Sequence, residues 1–135
     1  MEFGVVVHEA LERMDVGVIA ASGLSDTEKK RANAMVQRAL GSDLLARVLK
    51  AEQVYRELPF SVNTPDGLME GKIDLLFCER GRWVLVDYKT NTQVEPEKYR
   101  QQMRAYENAL QQIANIRVQE IILFFLSKGE AVTVR

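Results

Sequence analysis

Two aspartates and a lysine in the stretch Gly71–Lys89, GKIDLLFCERGRWVLVDYK, have residue types and spacing suited to phosphate-ester chemistry. KIDLLFCE and RWVLVDYK read as two strands meeting at Arg80-Gly81. The glycine supplies the positive φ of a tight hairpin, although Arg-Gly is a weaker turn signal than Asn-Gly. With Glu79 opposite Arg82, antiparallel pairing sets Asp74 against Asp87, and the alternation of side chains brings Lys89 to the same face. Ile73, Leu75, Phe77, Val84, Val86 and Tyr88 fall on the other face as a core surface. Two facing carboxylates repel unless something positive lies between them, and a divalent cation meets that need. An Asp, Asp, Lys set of this kind is the chemistry of metal-assisted phosphodiester cleavage. The plain alternative is a solvated hairpin face, but Leu76, Trp83 and Leu85 share that face, so the strand pair reads as covered on both sides.

The elements that must hold these residues follow from hydrophobic period and punctuation. Residues 3–14 read as a helix with Val6, Val7, Ala10, Leu11 and Met14 on one stripe. His8 and Glu12 lie four apart on one face, with Glu9 beside them. A lone histidine beside an apolar stripe is often structural, yet His8 is the single histidine in the chain, so any role for imidazole falls to it. Residues 17–25 read as a connection. Ser25-Asp26-Thr27-Glu28 matches a capping box and starts a helix to about Leu40, stopped by Gly41. Ser42 caps a short third helix, DLLARVLKAE. Lys29, Lys30 and Arg31 read as a solvated first turn rather than a nucleic-acid contact.

From Gln53 the period changes. QVYRELPFSVN is a strand that Pro59 confines to an edge or a bulge. Its Glu57 reads as surface, with a metal site as the other possibility. Thr64-Pro65-Asp66-Gly67 is a turn, and the central hairpin follows. Residues 90–95 form a polar connection. Pro96 opens a helix to about Ile113 with Tyr99, Met103, Tyr106, Leu110 and Ile113 on one stripe. Gln102 and Tyr106, four apart, point the same way. VQEIILFFLSKGEAVTVR closes the chain as a buried strand, a turn and a short strand. The expected fold class is α/β, a mixed sheet flanked by helices with a helical N-terminal part. One domain spans 1–135, with a helical part at 1–51 and the sheet-and-helix core at 52–135.

Composition narrows the class. With 135 residues, an apolar share of 47% and a charged share of 27%, the chain has the makeup of one soluble globular domain. Eighteen Lys and Arg against 19 Asp and Glu exclude a broad basic surface and predict weak nucleic-acid affinity resting on few contacts. A single cysteine, Cys78, excludes an internal disulfide or a cysteine-built cluster in one chain and fits a reducing, cytoplasmic setting. IILFFL is too short to span a bilayer, and MEFGVVVHEALERMD lacks the cationic start of a secretory signal.

Four separated pieces together resemble the PD-(D/E)XK nuclease superfamily, and within it the RecB-like, helicase-associated nucleases. Gly4-x-x-x-His8 is similar to that family's N-terminal GxxxH helix. GKID ends in Asp74 where the family has its first aspartate, with Ile73 in place of the proline of the superfamily's name. Asp87-Tyr88-Lys89-Thr90 resembles the DYKT segment, and Tyr99-x-x-Gln102-x-x-x-Tyr106 the helix motif after it. DXK alone carries almost no signal; the four pieces in this order span nearly the whole chain.

The resemblance implies a restriction-endonuclease-like core and a catalytic set of Asp74, Asp87, Lys89 and Gln102. It implies Mg2+ or Mn2+ held by His8, Asp74, Asp87 and the Tyr88 backbone carbonyl. Lys89 would position or deprotonate the attacking water, Gln102 would orient Lys89 or the phosphate, and Tyr106 and Tyr99 would lie on the DNA side. Arg100 and Arg104 would bind flanking phosphates, or else be exposed salt-bridged arginines. Some relatives carry four cysteines around an iron–sulfur cluster; with only Cys78, no iron–sulfur cluster is expected. No GxxxxGK[ST] loop is present, so helicase domains or subunits of a repair complex would be partners, and the chain a terminal part of a larger protein. The expected activity is a metal-dependent DNA nuclease on single strands or ends. The competing readings are a catalytically silent nucleic-acid-binding module of the same fold and a nuclease specific for a duplex sequence.

Overall fold

The structure is a computed structural model and describes residues 3–135. Four helices come first: α1 (Phe3–Arg13), α2 (Gly17–Ala20), α3 (Asp26–Leu40) and α4 (Asp43–Leu49). Strands β1 (Gln53–Thr64), β2 (Gly67–Glu79) and β3 (Arg82–Lys89) follow as a meander. A 3₁₀ turn at Pro96–Tyr99 leads into α5 (Arg100–Ala114), then β4 (Val118–Phe125) and β5 (Glu130–Thr133). The sheet runs β1-β2-β3-β4-β5, with β3 and β4 parallel and every other pair antiparallel. Parallel neighbours need a crossover, and α5 is that crossover.

Helices cover both faces. On one face Leu75, Phe77, Val84, Val86, Tyr88 and Phe124 pack against the buried stripes of α1 to α4. On the other, Leu76, Leu85, Leu123 and Phe125 pack against Met103 and Leu110 of α5. Burial on both faces is what makes β3 and β4 read as continuous apolar runs. No helix among the described residues is long and apolar enough to cross a membrane.

The expected punctuation is present. Ser25 and Glu28 cap each other reciprocally at the start of α3, and Ser42 accepts from Leu45 N at the start of α4. Arg80 and Gly81 both take positive φ, 53° and 77°, as a two-residue hairpin loop of primed type requires. Three details differ from the sequence reading. Residues 17–20 form a helical turn rather than plain connection, held by the burial of Ile19. The helix expected from Pro96 is 3₁₀ for its first turn, and the third helix ends at Leu49. Ile73, expected beside Leu75, packs instead on the α5 side with Leu76. The cause lies in the neighbouring strand. Glu57 takes φ 50°, and the β1–β2 ladder, paired at Arg56–Leu75 and at Leu58–Ile73, skips Glu57 and Asp74. Alternation is reset across that irregularity, as at a bulge.

Candidate active site

The irregularity is where the polar residues gather. The β2–β3 ladder has the expected register from Glu79–Arg82 to Leu75–Val86 and then parts. Where the next rung would lie, Tyr88 N donates to the Asp74 carboxylate, Oδ2, at 2.7 Å. Asp74 and Asp87 are buried, 8% and 6% exposed, and are the buried charged residues among those described. Charges so placed need partners, and each aspartate has a different one.

Asp74 Oδ1 lies 3.1 Å from His8 Nδ1, and Glu57 Oε2 lies 3.8 Å from the same nitrogen. The apolar stripe of α1 (Val6, Val7, Ala10, Leu11) is docked on the sheet, which leaves His8 directed at the strand break and edge-on to the Tyr88 ring at 5.9 Å. Burial disfavours the imidazolium, but the hydrogen bonds and charges of Asp74 and Glu57 outweigh it and raise the His8 pKa to about 10. Burial works against the Glu57 carboxylate too; His8 and Lys72, the latter 3.0 Å from Glu57 Oε1, nevertheless hold it below the usual glutamate range.

Asp87 is served from the other side. Lys89 Nζ lies 2.7 Å from Asp87 Oδ2, 3.2 Å from Gln102 Oε1, and 4.0 Å above the Tyr99 ring. Gln102 Nε2 donates to the Tyr106 hydroxyl at 3.3 Å. Gln102 and Tyr106 are one helical turn apart on α5, as expected. Burial, and then the charge of Asp74, push the Asp87 carboxyl upward against the pull of Lys89. Asp87 Oδ2 is fully enclosed and accepts no well-directed hydrogen bond, so Lys89 meets it as a charge alone. A buried carboxylate short of donors beside a second carboxylate is an arrangement that a cation relieves.

His8, Glu57 and Asp74 each present a ligand atom within 4.8 Å of the others, one nitrogen and two carboxylate oxygens. Such a donor set fits a hard divalent ion, manganese more naturally than magnesium because of the imidazole. The grouping differs from the expected His8, Asp74 and Asp87: Glu57, read as surface, is inside it, and Asp87 stands beside it on Lys89. The signal for Glu57 was in the sequence. Closing the Thr64–Gly67 turn with Thr64 opposite Gly67 sets Glu57 against Asp74, the same reasoning that set Asp74 against Asp87.

The remaining expected residues are placed as follows. Tyr99 is half-buried under Lys89 and against Phe125. Arg100 is held by Glu97 through two hydrogen bonds of 3.0 and 2.7 Å and donates to Val134 O. Arg104 lies with Arg100 around a separate depression on the outer side of α5. The structure thus brings His8, Asp74, Asp87, Lys89, Gln102 and Tyr106 together and leaves the two arginines apart.

A sequence profile of the PD-(D/E)XK nuclease superfamily matches residues 1–134. The chain belongs to that superfamily. Among PD-(D/E)XK relatives, an ATP-dependent helicase/nuclease subunit of Staphylococcus aureus strain MRSA252 is 36% identical over 126 residues, covering 75% of this chain and 10% of that protein. Its counterpart in strain JH9 is 38% identical over 111 residues, covering 64% of this chain and 9% of that protein. The chain spans about a tenth of the length of the curated relatives it matches. The PD-(D/E)XK core explains the architecture: a mixed sheet whose central strands part to expose acids, flanked by helices that bring a histidine to one side and a glutamine to the other.

Proposed function

We propose that this chain is the nuclease domain of a helicase–nuclease, a metal-dependent hydrolase of DNA phosphodiesters acting on single strands or ends in cytoplasmic repair and recombination. One observation carries the reading: a cation-binding His8–Glu57–Asp74 cluster lies directly beside an Asp87–Lys89–Gln102 chain at one break in the sheet.

The division of labour follows from the contacts. His8, Glu57 and Asp74 would hold Mg2+ or Mn2+, with Asp87 and the Tyr88 carbonyl adjoining. When bound, the ion supplies Lewis-acid stabilisation of phosphate charge and a lowered pKa for water. Asp87 and Gln102 fix the Lys89 ammonium, and Tyr99 confines it from below. Lys89 in turn orients the attacking water and stabilises the charge that grows on the phosphate oxygens. The Tyr106 hydroxyl, held by Gln102, faces the substrate side. The two lysines and His8 offset most of the carboxylate charge, so an anionic phosphodiester can approach. Helicase domains of the same protein or complex would deliver the strand.

The test is cleavage of end-labelled single-stranded DNA with Mg2+, Mn2+ or EDTA, for wild type and Lys89→Ala. Metal-dependent cleavage reduced about 10²–10³-fold in the variant is expected, the scale for losing one charge-stabilising group. A circular strand resisting cleavage would support the requirement for ends. Metal-independent DNA retention without cleavage would instead identify a silent binding module, and full activity in Lys89→Ala would locate the chemistry elsewhere.

A further inference from the structure

The cleft in front of His8, about 530 Å3 in volume, is walled by the carboxylates of Glu9, Glu12, Glu57 and Asp74. Such a wall repels a phosphodiester. Lys89 lies behind it, 15% exposed and engaged with Asp87. Among the residues lining the cleft, Lys72 alone carries a permanent positive charge. Its side chain is 58% exposed, and its ammonium rests 3.0 Å from Glu57 Oε1. Glu57 occupies one of the three donors of an ammonium, which leaves the others directed at solvent in the cleft.

Strand alternation explains why the lysine is there. A side chain on Gly71 would point at Phe60 and at Tyr106 on the α5 side. Lys72, the next residue, therefore points to the α1 side. The break in the sheet has two rims: Gln102 and Tyr106 on one, Lys72 on the other.

We propose that Lys72 is a substrate-binding residue, contacting a backbone phosphate next to the scissile one on the α1 rim, with Glu57 tethering it. The assignment deepens the nuclease reading and rests on it for the identity of the ligand. Lys72 gives an acidic cleft its local attraction for a polyanion in a chain with no net basic surface. As a single phosphate contact it strengthens binding without regard to base sequence.

The test is fluorescence anisotropy of a labelled single-stranded oligonucleotide in EDTA across a salt series, for wild type, Lys72→Ala, Lys72→Arg and Lys72→Glu. Lys72→Ala is expected to weaken binding about three- to ten-fold and to flatten the log–log salt slope by about 0.7, the share of one single-strand phosphate contact. Lys72→Arg should restore both, and Lys72→Glu should weaken binding further. In Mn2+, cleavage by Lys72→Ala should show a rise in KM larger than any fall in kcat. Calorimetry with Mn2+ alone separates a purely structural role: a lysine that only props Glu57 would lose Mn2+ affinity on truncation and leave the salt slope intact, which overturns the proposal. An unchanged slope and affinity in Lys72→Ala also overturns it. Failure of wild type to cleave with either metal would remove the nuclease reading, while the salt slope would still decide the phosphate contact.

Discussion

Glu57 sits in the left-handed region of backbone space, which costs a side-chain-bearing residue about 1–2 kcal/mol relative to its usual conformations. What holds it there is its surroundings: Leu58 and Phe60 anchor the strand to the α5 core on one side, and His8 and Lys72 receive the carboxylate on the other. Glu57→Gln keeps the shape and removes the charge. We expect Mn2+ affinity, measured by calorimetry, to fall by at least about ten-fold, a loss of the order seen even for residues that only support a ligand. Unchanged affinity would place Glu57 outside the ligand set. The residue also marks the limit of reading sides from a strand. Asp74, Asp87 and Lys89 are legible because a two-residue loop and a period of two fix their face. The same alternation misplaces Ile73 and leaves Glu57 at the surface, because one positive φ resets the period. No residue type announces that reset when a glutamate, not a glycine, adopts it.

Elements hold the site through a few close approaches. A Cβ on Gly71 would come within 2.6 and 2.8 Å of the Phe60 ring. That ring is itself fixed edge-on against Tyr106, with centroids 5.2 Å apart. Gly71→Ala should therefore destabilise the fold by about 1–3 kcal/mol in urea denaturation, as overpacking does, and should disturb the Gln102–Tyr106 rim. A neutral result would show that Phe60 has room to move. At the far end of the hairpin, Arg47 of α4 bonds Glu79 through two nitrogens at 3.1 and 2.9 Å and reaches Glu120 of β4 at 2.8 Å. Arg47 is one-third exposed, so water and salt screen the network, and Arg47→Ala should cost only about 1 kcal/mol at pH 7. Its pH dependence has a definite sign. Arg47 holds the folded-state Glu79 carboxyl below its ordinary 4.5, so the contribution is fully present above that pH and fades as pH falls beneath it. The stability gap between wild type and Arg47→Ala should accordingly shrink from about pH 7 to about pH 3. A gap that widened in acid would mean the guanidinium matters through packing on Phe77 instead. Helix starts at this scale are legible from Ser25 and Ser42, whose side chains do the capping. The turn at 17–20 is not, because Val16 precedes it without a capping side chain and only the burial of Ile19 fixes it.

Across the whole molecule, the candidate ligands come from three elements far apart in sequence: His8 on α1, Glu57 on β1 and Asp74 on β2. An ion shared among them would join the N-terminal helices to the sheet, in addition to the apolar contact already made by Val6, Val7, Ala10 and Leu11. Without it, the imidazolium proton is the cation between the two carboxylates, and the fold stands on its core. Binding to the folded state alone must then raise stability by mass action, about 2.7 kcal/mol at a hundred times the dissociation constant. For a chain of this length that corresponds to a rise in Tm of about 8–10 °C. Mn2+ should produce this rise in wild type, EDTA should reverse it, and His8→Ala should fold and remain indifferent to Mn2+, because His8 lies at the cleft and the α1 core stripe is untouched. Lys89→Ala, by contrast, should lose cleavage and keep the Mn2+-dependent rise, since Lys89 serves Asp87 and not the three-residue cluster. If both variants lost the thermal response, the ion would be bridging Asp74 and Asp87, and the partition of the site into a cation-binding side and a lysine side would be wrong.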